Sequence, residues 1–334
     1  MNKFRVAFIG AGSRANQVIY PSVAMMDDVE LCAICDIDEN RLNSTADKYN
    51  VALRYGSRGV NDYQRMINDV KPDAVFCIGQ PHIMYDIWVW ILSQGIDLYI
   101  EKPLALTIHQ ARSLTNLAQK YNCITQVSFQ RRSTPMVTLL RDKCLEKGTI
   151  THAVCRFYKY EIRDNYGARD HMMDDTVHSI DTLRWICGGE VTDIYSDVSR
   201  NGVQDINFIS AVLKFDNGAT AHMINSWSSG KREFSVEMHA PGIYATAEHE
   251  TKGHLYAEGD VKGIEFDTAE IADSTDFHVY TGVYNACRQF IDGCKSRTQP
   301  PSCFADAVKT MEVAEKILAR ALLDTRFSDA YMRL

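Results

Sequence analysis

The stretch FRVAFIGAGSRA, residues 4–15, decides the fold. Residues 4–9 are typical of a buried strand, and they lead directly into Gly10, Gly12 and Ala15 with the spacing G-x-G-x-x-A. Gly10 permits a tight turn, Gly12 allows the backbone to approach a pyrophosphate, and Ala15 allows the following helix to pack closely. The N–H groups at the start of that helix favour a negative charge. The stretch therefore predicts the first strand–turn–helix unit of a dinucleotide-binding domain.

An acidic residue follows this motif at the expected distance. The predicted strand over residues 29–35 ends at Asp36, which can accept hydrogen bonds from both ribose hydroxyls of a dinucleotide. Asp36 and Asp38 would repel a 2′-phosphate, so NAD is predicted as the cofactor rather than NADP. Arg14 and Arg41 leave NADP open, because either could pair with the additional phosphate. The alternative is a glycine turn and a strand-end aspartate without a ligand.

Short apolar runs alternate with amphipathic segments through the first half of the chain, as in strand–helix–strand units around a parallel sheet. The other predicted strands are residues 74–78, 98–100 and 123–127, and the predicted helices are residues 15–26, 39–49, 62–68, 84–94 and 108–120. We therefore expect an α/β fold that begins with a doubly wound Rossmann sheet over residues 1–125.

The second half changes to long alternating runs, which predict antiparallel strands. The predicted elements are strands over residues 207–215 and 219–227 with a turn at residues 216–218, and helices over residues 175–187, 281–293 and 304–324. We expect residues 126–334 to form an α/β domain for substrate binding and oligomerisation, with a large, open, mostly antiparallel sheet. The C-terminal helix could pack back on the first domain.

Composition excludes several classes of protein. The 334 residues are 46% hydrophobic and 24% charged, which is typical of a globular protein of about two domains. The net charge of −7, without a basic cluster, argues against nucleic-acid and membrane partners. No apolar stretch approaches the roughly 20 residues of a membrane span, and no signal peptide is expected. Ten scattered cysteines, including Cys32 and Cys35 on one predicted strand, indicate reduced, core-filling thiols and a cytoplasmic location.

Lys102 is a candidate for chemistry because of its place after a predicted strand. It lies between Glu101 and Pro103, directly after residues 98–100. Doubly wound sheets bind ligands outside the carboxyl ends of their strands. A lysine taken alone, however, is more often an ordinary solvated residue.

A second candidate group lies in the predicted helix of the second domain. A rotation of about 100° per residue places Asp174, His178, Asp181 and Trp185 on one narrow arc. A carboxylate beside a histidine can fix its tautomer or share its proton. Two alternatives are a solvated helix face with a capping aspartate, and a site for a divalent metal. We expect no metal, because no second histidine stands at a clear ligand spacing.

These motifs together resemble the Gfo/Idh/MocA family, the glucose-fructose oxidoreductases, inositol dehydrogenases and rhizopine catabolism proteins. The matching pieces are the N-terminal fingerprint, Asp36, Asp73-Ala74-Val75, Pro81, Glu101-Lys102-Pro103, Gln130-Arg131-Arg132 with Pro135, and Asp174-x-x-x-His178. The resemblance covers nearly the whole chain. It implies a Rossmann domain, an α/β domain with a large open sheet, and a nicotinamide cofactor.

The resemblance also implies roles for particular residues. His178 would act as general base in alcohol oxidation, Lys102 would hydrogen-bond the same substrate oxygen, and Asp174 would orient substrate and histidine. The predicted cofactor-binding residues are Gly10, Gly12, Ser13, Arg14, Ala15, Asp36, Arg41, Gln80, Pro81, His82, Glu101, Lys102 and Gln130. The predicted substrate-binding residues are Lys102, Arg131, Tyr158, Asp174, His178 and Tyr280.

The aromatic side chains of residues 158–166, with Trp227, His278 and Tyr280, are suited to a polyhydroxylated ring, although each could simply pack in the sheet. The chain departs from the family at three positions. The family commonly has Thr before Pro81 and His four residues after it, where this chain has Gln80 and Tyr85, and it often has Gly in place of Thr176.

We therefore expect an NAD(P)-dependent oxidoreductase that acts on a hydroxyl of a neutral sugar, inositol or glycoside, assembled as a homodimer or homotetramer. One alternative is an NAD-dependent glycosidase or lyase that oxidises the sugar transiently. Others are a nucleotide-sensing protein without catalysis, and a metal-dependent hydrolase that uses Asp174 and His178.

Overall fold

A computed structural model describes residues 3–56, 61–164 and 170–322, with side chains up to residue 320. The described residues form two compact units. The first is drawn from Met1–Ser128, Phe277–Val279 and Val283–Val308, and the second from Phe129–Asp276, Tyr280–Gly282 and Lys309–Leu334. The boundary after Ser128 is close to the predicted one after residue 125, but a segment near the C-terminus joins the first unit.

The first unit contains a six-stranded parallel sheet. Its strands are β1 (Phe4–Ile9), β2 (Val29–Cys35), β3 (Arg54–Tyr55), β4 (Ala74–Cys77), β5 (Asp97–Ile100) and β6 (Thr125–Val127). They pair in parallel in the order β3-β2-β1-β4-β5-β6. This order is that of a Rossmann sheet, so the predicted fold class is confirmed. The prediction lacked β3, which is too short to show a periodic pattern.

Helices lie between these strands. They are a π-helical segment (Ala15–Ile19) that continues as α1 (Tyr20–Ala24), then α2 (Glu39–Lys48), α3 (Asp62–Val70), α4 (Pro81–Ser93) and α5 (Ile108–Lys120). A later helix, Val283–Ser296, completes the core of this unit. Its Phe290 packs edge-on against Phe76 of β4 and Tyr99 of β5, which explains why a segment distant in sequence belongs to the first unit.

The second unit contains an eight-stranded sheet. Its strands are β7 (His152–Tyr160), β8 (Val191–Ser199), β9 (Phe208–Phe215), β10 (Thr220–Ser226), β11 (Ser228–Ala240), β12 (Ile243–Glu248), β13 (Lys252–Ala257) and β14 (Ile264–Asp267). The order is β14-β13-β12-β11-β7-β10-β9-β8, and every pairing is antiparallel except that of β10 with β7. The predicted turn joins β9 to β10, with Gly218 at a φ of +86°.

The helical segments after β6 either cover one face of this sheet or lie near the C-terminus, where the helix Val283–Ser296 of the first unit is labelled α10. They are a 3₁₀ turn (Gln130–Ser133), α6 (Pro135–Lys147), a π-turn (Met172–Thr176), α7 (Val177–Cys187), α8 (Thr268–Ala272), α9 (Phe277–Tyr280), α10 (Val283–Ser296) and α11 (Phe304–Leu322). Helix α6 was missing from the prediction, although its buried residues have helical spacing. It packs so closely on β13 that a side chain at Gly253 would meet Met136 and Leu140.

Helix α7 differs from the prediction in its start and in its surroundings. The α-helix begins at Val177, and the preceding turn is wound as a π-helix. Every residue of α7 except Trp185 is buried, which excludes the alternative of a solvated helix face. Cys32 and Cys35 are both buried, as expected. No helix within the described ranges is both long and apolar enough to cross a membrane.

Candidate active site

The predicted cofactor residues of the first unit lie at one edge of its sheet. Asp36 follows β2, Gly10 and Gly12 follow β1, Gln80 follows β4 and Lys102 follows β5. Because β2, β1, β4 and β5 are consecutive neighbours in a parallel sheet, these loops form a row. Three strand spacings separate its ends by about 14 Å. We call this row the loop edge.

The two fingerprint positions are occupied by glycine for different structural reasons. Gly10 has a φ of +101°, and a side chain there would clash with the carbonyl oxygen of Ile78. A side chain at Gly12 would meet nothing within 4 Å, so the backbone is open to an approaching group at that point. Gly10 is therefore required by the fold, whereas Gly12 leaves the cradle that a pyrophosphate needs.

Hydrogen bonds hold the loop around these glycines. The Tyr20 hydroxyl donates to the Gly10 carbonyl at 3.3 Å, and Asn16 Nδ2 donates to the Ala11 carbonyl at 2.8 Å. Ala15 is fully buried at the start of the π-helical segment, whereas Ser13 is exposed. The loop carbonyls are thus hydrogen-bonded to side chains of the protein. The residues of this glycine loop fit the diphosphate of a dinucleotide.

Asp36 is fixed in place by backbone groups. Its Oδ2 accepts a hydrogen bond from Ala11 N at 2.6 Å, and its Oδ1 accepts one from Asp38 N at 2.8 Å. Each carboxylate oxygen retains a second lone pair, which a ribose hydroxyl can use. Arg41 donates from Nε to Asp38 Oδ2 at 3.0 Å, so this arginine is directed to the cap of α2.

Arg14 pairs with an acid at the far end of the loop edge. Its Nε donates to Glu101 Oε1 at 3.1 Å, and the Glu101 side chain is nearly buried. Burial alone lowers the pKa of Arg14, but the Glu101 carboxylate raises it above its ordinary value. Glu101 also accepts a hydrogen bond from Lys102 N at 3.2 Å, and the Lys102–Pro103 peptide bond is cis. Arg14 is therefore engaged with Glu101 rather than with the Asp36 end of the edge.

Helix α4 begins at the loop edge. Gln80 is its N-cap residue and Pro81 occupies its first turn, where the missing N–H costs no hydrogen bond. His82 is exposed on the same turn. Gln130, the remaining predicted cofactor residue, begins the 3₁₀ turn of the second unit and is buried there.

The second unit carries Asp174 and His178 on consecutive segments. Asp174 is half-buried in the π-turn, and His178 is 5% exposed in the first turn of α7. The Phe129 ring lies edge-on to the His178 imidazole at 6.0 Å between centroids. Lys102 belongs to the first unit, so the predicted catalytic group draws residues from both.

The other two residues of the predicted arc, Asp181 and Trp185, contact side chains outside the candidate catalytic group. Arg132 donates from Nε to Asp181 Oδ2 at 2.8 Å in a buried ion pair. The Arg141 guanidinium lies over the Trp185 ring at 4.5 Å. Asp181 and Trp185 are therefore occupied by structural partners, and the π-turn removes Asp174 from the regular α-helical rotation that the prediction assumed.

Arg131 occupies an unusual position for a predicted substrate residue. Its guanidinium lies 3.6 Å from the Phe234 centroid and 4.6 Å from the Phe157 centroid, and the residue is only 5% exposed. Within the described part of the chain, its Nε and Nη1 have no hydrogen-bond partner. Burial lowers the pKa of Arg131 to about 10. Two aromatic faces thus stabilise a cation that retains unused donors.

Tyr158 does not join the candidate catalytic residues. On β7, Phe157 contacts Arg131 and Lys159 contacts Asp175, so these two side chains face α7 and the π-turn. Side chains alternate along a strand, and Tyr158 therefore points to the opposite face of the sheet. The sequence showed the aromatic residue but not which face of β7 would be covered.

The other predicted aromatic residues lie in different parts of the molecule. Trp227 is buried and donates from Nε1 to Asp175 Oδ2 at 2.8 Å. His278 contacts Met25 in the first unit, and Tyr280 is half-buried at the end of α9. Residues 165 and 166 of the predicted aromatic segment lie outside the described residues.

Sequence reasoning missed a polar cluster next to the π-turn. Asp175 Oδ2 accepts hydrogen bonds from Lys159 Nζ at 2.5 Å and from Trp227 Nε1, and the His171 ring stacks on Trp227 at 4.2 Å. The available signal was a second aspartate directly beside Asp174. Within residues 3–56, 61–164 and 170–322, no group of three or more His, Cys, Asp or Glu side chains is arranged to hold a metal ion.

Two family models match the chain. Residues 4–129 match a model described as "Oxidoreductase family, NAD-binding Rossmann fold", and residues 146–242 match one described as "GFO/IDH/MocA C-terminal domain". Together the two matches span more than half of the chain.

Three curated proteins are similar to parts of the chain. The uncharacterised oxidoreductase YrbE of Bacillus subtilis (strain 168) is 25% identical over 65% of this chain and 65% of its own length. The myo-inositol 2-dehydrogenase of Thermotoga maritima is 26% identical, over 66% and 68%. The D-glucoside 3-dehydrogenase of Escherichia coli (strain K12) is 33% identical, over 38% and 35%. The chain thus spans less than two thirds of the first relative and about a third of the last.

A dehydrogenase from Chromobacterium violaceum has a similar fold, with a TM-score of 0.87 over 100% of both chains at 19% identity. This likeness extends the shared fold over both units. The N-terminal NAD-binding model and the C-terminal model agree with the loop edge and the eight-stranded sheet, and the chain belongs to the Gfo/Idh/MocA family of oxidoreductases.

Proposed function

We propose that the protein is an NAD-dependent dehydrogenase that transfers a hydride between a CH–OH group of a sugar, inositol or glycoside and nicotinamide. The observation that carries the proposal is the loop edge, because it runs from Asp36 past the open backbone at Gly12 to Lys102. Similarity to an inositol dehydrogenase and a glucoside dehydrogenase supports a polyol substrate.

Residues of the loop edge would hold NAD. Gly10 and Gly12 would receive the pyrophosphate with the N–H groups after β1, and Asp36 would accept the ribose hydroxyls. NAD is favoured over NADP because Asp36 would repel a 2′-phosphate, while Arg14 is engaged with Glu101 and Arg41 with Asp38. Bound nicotinamide supplies the hydride acceptor at its C4 carbon.

His178, Lys102 and Asp174 would carry the proton chemistry. In oxidation, His178 takes the hydroxyl proton while the C–H electron pair leaves with its hydrogen as hydride, so a carbonyl forms and no proton or electron is lost. Lys102 hydrogen-bonds the same oxygen and stabilises the developing negative charge. Asp174 orients the substrate and the imidazole, and Arg131 and Tyr280 contribute to the substrate pocket.

A homodimer or homotetramer is the proposed assembly. The face of the eight-stranded sheet opposite α7 carries a row of stacked rings on adjacent strands. The rings are His152, His239, Tyr244 and Tyr256. Covering this face with a second copy would remove those rings from water, and light scattering of the purified protein measures the assembly directly.

A screen for NADH formation tests the proposed function. Inositols, aldoses and glycosides are each incubated with the protein and NAD, and in parallel with NADP. We expect NADH to accumulate with at least one polyol, and NADPH to accumulate more slowly in the parallel incubation with NADP. Release of an aglycone without net NADH would instead identify a redox-assisted glycosidase or lyase. Absence of turnover on every polyol, together with absence of NAD binding by calorimetry, would contradict the proposal.

A further inference from the structure

Asp175 is a buried carboxylate that the proposed reaction does not use. Its Oδ2 accepts hydrogen bonds from Lys159 Nζ at 2.5 Å and Trp227 Nε1 at 2.8 Å. Asp175 and Trp227 are buried, and the His171 ring stacks on the Trp227 indole with an interplanar angle of 20°. We call Lys159, Asp175 and Trp227 the Asp175 network.

Stabilisation of the fold alone does not explain the Asp175 network. Burying the Asp175 carboxylate costs desolvation free energy, which its attraction to the partly exposed Lys159 ammonium only partly offsets. Apolar side chains of similar volume would fill the same space without this cost. The network therefore indicates a role other than stability, and its location shows what that role is.

That location is the π-turn itself. Asp175 stands between Asp174 and Thr176 and immediately before α7, which carries His178. A π-helical turn is rare, and it occurs mostly as a single turn within an α-helix, frequently at a functional site. Lys159 on β7 and Trp227, between β10 and β11, anchor its middle to the sheet. Loss of these anchors would let the turn relax towards an α-helix and rotate Asp174 about the helix axis relative to His178.

We propose that Asp175 is a positioning residue, whose contacts with Lys159 and Trp227 hold the π-turn that sets Asp174 against His178. The inference rests on the proposed function, because its importance lies in the geometry of that reaction. Asp175 acts through its neighbours, since its Oδ2 accepts hydrogen bonds from two side chains of the protein scaffold.

Graded substitutions test this role. Asp175→Leu removes the charge and the acceptor, whereas Asp175→Asn keeps an oxygen for Trp227 and loses only the attraction to Lys159. We expect Asp175→Leu to lower kcat by about 100-fold, as a misplaced group does, with an unchanged Kd for NADH. Asp175→Asn is expected to lie between Asp175→Leu and the unmodified protein.

A matched control lies on the opposite face of the same strands. Glu237→Gln breaks a partly buried ion pair with Arg156, and neither residue belongs to the site. This variant is expected to keep its kcat. If Asp175→Leu folds and keeps the kcat of the unmodified protein, or if Glu237→Gln loses as much as Asp175→Leu, the positioning role is overturned.

Two measurements that need no turnover separate this inference from the proposed function. The indole N–H resonance of Trp227, identified among the four tryptophans by Trp227→Phe, is expected to shift in Asp175→Leu. Hydrogen exchange of residues 171–178 is expected to become faster in that variant but not in Glu237→Gln. If the unmodified protein oxidises no polyol and binds no NAD, the proposed function fails. An unshifted resonance or unchanged exchange in Asp175→Leu overturns the inference in either case.

Discussion

The loop edge and the π-turn place functional residues in different ways. At the loop edge, each residue lies within three residues of the end of a strand, and backbone groups form the site. Gly12 leaves space, and Asp36 is held by two backbone N–H groups. At the π-turn, side chains distant in sequence do the holding. Lys159 lies 16 residues and Trp227 lies 52 residues from Asp175. The cofactor end therefore depends mainly on backbone geometry, and the catalytic end depends on contacts between side chains.

Substitution of His178 separates the two regions most sharply. His178→Ala is expected to lower kcat by about 10²- to 10⁴-fold, because the general base is lost. The Kd for NADH, measured by fluorescence titration, is expected to stay unchanged, since the loop edge is intact. A variant that kept its turnover would remove His178 from the mechanism.

Substitution of Gly10 and of Gly12 is expected to disturb the loop edge in different ways. Gly10→Ala is expected to cost about 2 to 5 kcal/mol of unfolding free energy, because of its positive φ and the clash with Ile78. Gly12→Ala is expected to fold normally and bind NADH more weakly. Urea unfolding and NADH titration of both variants check this, and equal stabilities would contradict the assignment.

Asp36 tests cofactor choice at the loop edge. Asp36→Asn is expected to weaken NAD binding by about 10- to 100-fold, the value of about one hydrogen bond to a charged group. NADP binding should weaken less, because a repulsive charge is also removed. Calorimetry with both cofactors measures the ratio, and an unchanged preference for NAD would assign the discrimination to other residues.

The second unit should respond to acid through His249. Burial lowers the pKa of His249 well below its ordinary value of 6.5, so the unfolded chain takes up a proton near pH 6.5 while the folded chain does not. Stability is therefore complete above pH 6.5 and falls as the pH drops below it, by up to about 1.4 kcal/mol per pH unit. Urea unfolding from pH 7 to pH 5 measures the slope, and a His249→Gln variant should show a flatter one.

The smallest effect is expected at Tyr158. Tyr158→Phe should leave kcat/KM on the best polyol unchanged, because this side chain lies on the face of β7 opposite Lys159 and Asp175. Steady-state kinetics of Tyr158→Phe and of the neighbouring Lys159→Met variant, compared with each other, check that the two side chains lie on opposite faces of β7. A loss in Tyr158→Phe as large as in Lys159→Met would show that the face assignment is wrong.

The same contrast explains what could be predicted from the sequence. The Gly10–Gly12 loop and Asp36 follow from short motifs after apolar strands, and the strand order and the eight-stranded sheet agree with the expected fold class. The pairing of Arg132 with Asp181 joins residues 49 positions apart, which no local pattern encodes. Residues 172–176 are wound as a π-turn, so the α-helical rotation of about 100° per residue does not hold between Asp174 and α7. Helical periodicity in the sequence does not show this change of winding.

The transfer of a hydrogen isotope tests the central claim most directly. The best polyol from the screen is deuterated at the carbinol carbon and incubated with NAD, and the nicotinamide product is analysed by mass spectrometry and NMR. We predict that deuterium appears at C4 of the nicotinamide with the unmodified protein, and that it appears about 10²- to 10⁴-fold more slowly with His178→Ala. Product formation without deuterium on the nicotinamide would contradict hydride transfer between this substrate and NAD.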